Sequence, residues 1–136
     1  MKRMEVVCGI LHKGSQVYIA KRMGKHADGV WEFPGGKIEE GETPEAAIIR
    51  ELWEELHVHA QVIQYVCDTM DHQEGWEIHV RAYLCVSKEE PSQLTAHSEG
   101  HWVDYTEVYD YAFQEADQVI FERLQEVMTC SNAHRK

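Results

Sequence analysis

Glu51, Glu54 and Glu55 stand at i, i+3 and i+4 in the run Arg50-Glu51-Leu52-Trp53-Glu54-Glu55-Leu56. On a helix this spacing projects all three carboxylates from one face. Like charges on one patch repel each other and weaken the helix. A hard divalent cation removes that penalty, and Mg²⁺ prefers oxygen ligands of this kind. A solvated acidic face is the plain alternative for three glutamates taken alone.

The neighbouring residues predict the helix that would position them. Pro34-Gly35-Gly36 reads as a turn. Thr43 is a favoured N-cap, and Pro44 is suited to the first helical position. Glu45 adds negative charge where the helix dipole favours it. Ile48, Leu52 and Leu56 recur at spacing four, with Ile49 and Trp53 beside them. That makes an apolar stripe away from the glutamates. A helix over residues 44–56 follows, packed on a core by one face and presenting carboxylates on the other.

Gly36, Glu42, Arg50, Glu51, Leu52, Glu54, Glu55 and Val58 resemble the Nudix box, G-x5-E-x7-R-E-U-x-E-E-x-G-U, where U is a bulky aliphatic residue. Eight of its nine defined positions match. The preceding run Trp31-Glu32-Phe33-Pro34-Gly35-Gly36-Lys37-Ile38-Glu39 is similar to the MutT-like branch, whose members hydrolyse nucleoside triphosphates. His57 departs from the pattern, standing where the family has the glycine that ends the helix. A left-handed histidine costs about 1 kcal/mol. The expectation is a slightly strained or rebuilt helix end, stabilised by His57→Gly, with the chemistry intact.

The resemblance implies roles for particular residues. Glu51, Glu54 and Glu55 would bind metal, with the backbone carbonyl of Gly36 as a further ligand, and Glu51 would lie close to the attacking water as ligand or base. Mg²⁺ is the implied ion, with Mn²⁺ as a substitute. Arg50 would hold Glu42 or Glu51 in place; its plain alternative is a surface i,i+4 pair with Glu54. Lys37 would contact phosphate, or else is a solvated loop lysine. The family's further glutamate, before the last strand, falls by alignment on Ala96, with His97 beside it. Glu99 is the nearest replacement, and His97 an alternative base. Arg22 matches a position that contacts the nucleotide and Phe33 one that stacks on the base. Asp117 aligns with an asparagine or aspartate that reads the base edge. A surface arginine, a core aromatic and an N-cap are their plain alternatives. An ionised aspartate only accepts hydrogen bonds, so it selects donors such as a cytosine N4 amino group.

Composition agrees with one small enzyme. A chain of 136 residues, 43% hydrophobic, can bury a core. A net charge of −11 argues against nucleic acid or an anionic membrane as partner. Cys8, Cys67, Cys85 and Cys130 have no paired spacing, and the first three lie in apolar runs as buried thiols. That suits a cytoplasmic protein, as does an N-terminus that does not read as a signal peptide.

Strands are expected at 5–11, 16–22, 30–33, 61–70, 76–87 and 101–103, a loop at 25–29 and a hairpin turn at 71–75. A short helix is expected at 106–109 and an amphipathic one at 117–128, with Ile120, Leu124, Val127 and Met128 inward. The pattern alone supports a single α+β domain. The resemblance implies the Nudix fold, an α/β/α sandwich with a mixed sheet, over residues 1–130, with 131–136 as a flexible tail. The function expected is Mg²⁺-dependent hydrolysis of a (deoxy)nucleoside triphosphate, an oxidised purine or a cytosine nucleotide, to the monophosphate and pyrophosphate. The partner is then a nucleotide, the enzyme a monomer or homodimer, and the role nucleotide-pool sanitation linked to DNA repair. ADP-ribose-type hydrolysis and a silent nucleotide-binding module are the alternatives. A histidine-based zinc protein is a third, from a different class.

Overall fold

Lys2–Lys13 form strand β1, whose alternate residues enter two different cores. Cys8 and Ile10 go to one, Val7 and Leu11 to the other. That is the signature of a strand buried on both faces. The computed structural model describes residues 2–23, 29–92 and 97–133. Ala96, most of the loop expected at 25–29 and the last three residues of the expected tail lie outside them.

The remaining elements are β2 (Gln16–Arg22), β3 (Trp31–Glu32), β4 (Gly35–Lys37), α1 (Pro44–Leu56), β5 (Gln61–Gln73), β6 (Trp76–Val86), β7 (His97–Asp104), a 3₁₀ helix (Tyr105–Asp110) and α2 (Asp117–Ala133). The central sheet order is β3-β2-β1-β6-β5, with β4 also paired to β1 and β7 to β2. The β1–β6 pairing is parallel and the others are antiparallel. α1 packs over Val7, Leu11 and Cys85, and α2 over Cys8, Ile10, Ala82 and Leu84. The sheet therefore lies between two helices, as an α/β/α sandwich.

Several expectations are corrected. Ile49 and Trp53 are exposed, so the packed face of α1 is the narrower row Ile48, Leu52 and Leu56. That row meets β1 at Gly9, where a Cβ would lie 3.0 Å from both Ile48 and Leu52. Gly35 and Gly36 are strand residues opposite Cys8 and Val7, not a turn. β7 begins at His97, well before residue 101, because it pairs with β2 along its whole length. α2 continues to Ala133, past the point where the tail was expected. Cys67 is only partly buried, unlike Cys8 and Cys85.

Candidate active site

Thr43 caps α1 as expected: its side chain accepts from the Ala46 N–H at 3.1 Å, with Pro44 leading the helix. At the other end His57 adopts φ 59°, ψ 40°, the left-handed conformation, and its N–H donates to the Trp53 carbonyl at 3.0 Å. Its ring lies 4.0 Å from that of Trp53. The left-handed cost, about 1 kcal/mol, is thus offset by a ring contact of similar worth, about 0.5–1.5 kcal/mol. The stabilisation expected from His57→Gly is revised accordingly. Thermal melts should show His57→Gly within about 2 °C of wild type, and a gain of about 4 °C when the same change is made in a Trp53→Ala background.

Arg50 is the hub of the loop before α1. Its Nε and Nη2 donate to the two oxygens of Glu42 at 2.7 and 3.0 Å. Nη1 reaches Glu51 at 2.9 Å and Glu54 at 3.4 Å, and Nη2 also donates to the Lys37 carbonyl at 3.0 Å. The bond to Arg50 holds the Glu42 carboxyl down at about 2. Both partners weighed for Arg50 are engaged, and the i,i+4 contact with Glu54 is longer than either. Lys37 is exposed and meets the cluster through its main chain. A Cβ on Gly36 would stand 2.6 Å from the Glu51 carboxylate, so glycine is required for Glu51 to lie against β4.

Glu55 is 8% exposed. Burial, then the charges of Glu51 and Glu32, push its carboxyl up to about 8, against a backbone hydrogen bond from Gly35. Its Oε2 has no hydrogen-bond partner among the described residues. Across from it, His97 is 3% exposed, with Nε2 2.7 Å from Glu32 Oε2 and 4.0 Å from Glu55 Oε1.

Glu99 is not part of this cluster. Its carboxylate turns to solvent, 3.5 Å from Lys21 Nζ and 3.1 Å from His101 Nε2. The reason is an irregularity in β7: Lys21 pairs with Glu99 but Arg22 with His97. The extra residue, Ser98, reverses the alternation, so His97 goes inward and Glu99 outward. Glu32 was not foreseen as a site residue. Its sequence signal is its place in the run 31–39 that resembles the MutT-like branch, between Trp31 and Phe33.

A cleft of about 420 Å³ is lined among others by Arg22, Glu32, Phe33, Gly36, Asp71 and Asp117. The structure therefore gathers all three residues expected at the base. Arg22 lies 3.4 Å from Glu32. Phe33 is mainly a core residue, packed near Phe113 and Phe121, and it also lines the cleft. Asp117 is the first residue of α2 rather than its cap. Burial, then the charges of Glu32 and Asp71, push its carboxyl up to about 7.

A mixed sheet between two helices, with an arginine-braced carboxylate cluster packed against Gly36 of the cleft lining, is suited to the hydrolysis of acid anhydrides. The comparisons agree. Residues 1–124 match the NUDIX domain, and the chain belongs to the Nudix family, in its MutT-like branch. It is 32% identical over 123 residues, 90% of this chain and 91% of the other, to a CTP pyrophosphohydrolase of Escherichia coli. It is 46% identical over 59 residues to an 8-oxo-dGTP diphosphatase of Proteus vulgaris, a match spanning 42% of this chain and 53% of that protein. The solution structure of the E. coli ORF135 protein superposes with a TM-score of 0.80 at 31% identity, covering 96% of this chain and 94% of that one. Among the described residues no helix is long and apolar enough to cross a membrane.

Proposed function

We propose that the protein hydrolyses a cytosine or oxidised-purine nucleoside triphosphate to the monophosphate and pyrophosphate with the help of Mg²⁺. The observation that carries this reading is the cleft itself, whose lining includes both Gly36, against which the Glu51 carboxylate lies, and Asp117. The relative named as a CTP pyrophosphohydrolase, similar along nearly its whole length, supports the cytosine form.

Nudix hydrolases generally use a divalent metal, and the residues here fit one. Glu55 Oε2 is a buried acceptor without a partner, and Glu51 and Glu54 share its helix and its acidic patch. In this reading Glu51, Glu54, Glu55 and the Gly36 carbonyl hold the ion. Once bound, the cation offsets phosphate charge and makes water a better nucleophile. The chain's own residues do the rest. Arg50 fixes Glu51 and Glu54 against the loop through Glu42 and Lys37. Glu51, held in turn by Gly36 and Arg50, is placed to orient the attacking water. Lys37 and Arg22 supply positive charge toward the phosphates and the nucleoside. Phe33 offers a ring edge to the base, and Asp117 accepts from its amino group. The protein works alone or as a homodimer on nucleotides, in the cytoplasm.

The test is pyrophosphate release with Mg²⁺ across dCTP, CTP, 5-methyl-dCTP, dGTP, 8-oxo-dGTP, dATP and 2-hydroxy-dATP, with ADP-ribose followed by AMP formation. A preference among the triphosphates is expected. AMP from ADP-ribose with no pyrophosphate from any triphosphate would replace the reading with a diphosphate hydrolase. Asp117→Asn presents a donor as well as an acceptor. The ratio of kcat/KM for dCTP over 8-oxo-dGTP should fall about 10–100-fold in that variant, the worth of one good base-edge contact. An unchanged ratio would remove Asp117 from base selection. In the wild type the dCTP preference should grow as pH rises through about 7, where Asp117 becomes a pure acceptor.

A further inference from the structure

Glu32 on β3, Glu55 on α1 and His97 on β7 converge from three separate elements. One ligand atom of each lies within 4.8 Å of the others. The box accounts for Glu55 alone. The other two arrive through the strands flanking β2, where Ala20 pairs with Glu32 and Arg22 with His97.

An ion pair between His97 and Glu32 is the simplest account of their 2.7 Å contact, but it leaves the buried Glu55 carboxylate unexplained. Glu55 Oε2 is buried with no partner among the described residues, on the carboxylate whose Oε1 stands 4.0 Å from His97 Nε2. Imidazole nitrogen is a common ligand of divalent ions. Oxygen and nitrogen ligands at about 2.0–2.2 Å from one ion must stand about 3–4 Å from each other. The 2.7 and 4.0 Å separations around His97 Nε2 bracket that range.

We infer that Glu32, Glu55 and His97 form a divalent-cation site with one nitrogen donor, which selects Mn²⁺ or Zn²⁺ over Mg²⁺. Imidazole suits borderline transition ions, whereas Mg²⁺ favours an all-oxygen shell. This inference rests on the proposed function only in taking Glu55 as a metal-facing carboxylate. Its two other ligands lie outside the box, so the site shares Glu55 with the proposed oxygen set and is completed by Glu32 and His97.

The test reads the metal directly on the full chain without nucleotide. Mn²⁺ bound to wild type should show ¹⁴N modulation in electron spin-echo spectra, and His97→Gln should abolish it. Zn²⁺ affinity by calorimetry should fall at least 10-fold in His97→Gln and in Glu32→Gln, with Mg²⁺ a poor competitor in the wild type. Glu32 is half-buried, so its variant stays informative if the buried histidine change unfolds the protein. Bound Mn²⁺ without ¹⁴N modulation, modulation that persists in His97→Gln, or Zn²⁺ affinity indifferent to Glu32→Gln would each overturn the inference. Mg²⁺-dependent pyrophosphate release from the same wild-type sample reports separately on the proposed function. Its absence beside an intact ¹⁴N signal would overturn that reading and not this one.

Discussion

Arg50→Lys should lower kcat/KM by about 100-fold while the protein remains folded. Lysine keeps the charge but has no planar fork, and Arg50 uses its fork to grip both oxygens of Glu42 while Nη1 reaches Glu51. A single ammonium cannot serve Glu42, Glu51, Glu54 and the Lys37 carbonyl from one place. The two box glutamates then lose their orientation, and groups that orient metal ligands typically cost 10–100-fold when removed. The deficit should appear as a raised Mg²⁺ requirement in pyrophosphate release. A second readout is acid stability. Glu42 lies at about 2 in the folded state, below its ordinary 4.5. Its contribution is therefore complete above about pH 4.5 and disappears as pH falls toward 2. In Arg50→Lys that window narrows, and the variant's melting temperature should depend less on pH between 4.5 and 2. Wild-type turnover in Arg50→Lys would reduce Arg50 to a surface ion pair.

The parts of this site that were legible in the sequence are those built from local rules. Thr43, Pro44 and His57 mark the two ends of α1 by capping and backbone preference, and both ends fall where expected. The box spacing places Arg50 one turn from Glu54 and next to Glu51, so its brace could be foreseen. What stayed hidden depends on partners distant in the chain. Gly35 and Gly36 look like a turn by composition, yet they form β4 because β1 approaches too closely for any side chain at Gly35. The stripe on α1 was drawn too wide because no partner element covers Ile49 and Trp53. His97 and Glu99 have the same parity in the sequence. Only the pairing with β2, and the extra Ser98, separate the inward histidine from the outward glutamate. Glu32 carried no catalytic spacing of its own and acquires its place through β2.

Glu55→Gln should make the metal-free protein more stable and nearly inactive, with kcat/KM down about 1,000-fold, about 4 kcal/mol of transition-state stabilisation. A residue kept for packing gives the opposite pattern, since its loss lowers stability first. The folded carboxyl sits near 8, above its ordinary 4.5. Between those values the folded state holds a proton that the unfolded chain releases, so stability falls as pH rises from about 4.5 to about 8. By pH 7 the loss is about 3 kcal/mol. Glutamine keeps the shape, still accepts from the Gly35 N–H and carries no charge toward Glu51 or Glu32. The variant's metal-free melting temperature should therefore fall less than the wild type's over that interval, with the remaining decline below about pH 7 owed to Asp117, and exceed the wild type's at pH 8. Adding Mg²⁺ should raise the wild-type value at pH 8 far more than at pH 5, because the cation offsets a charge that is absent at the lower pH. The same addition should move Glu55→Gln little at either pH. A buried carboxylate that destabilises the empty protein and is relieved by a cation is what a metal-ligand role requires. A Glu55→Gln protein that melts lower than wild type at pH 8, or that turns over at the wild-type rate, would refute that role.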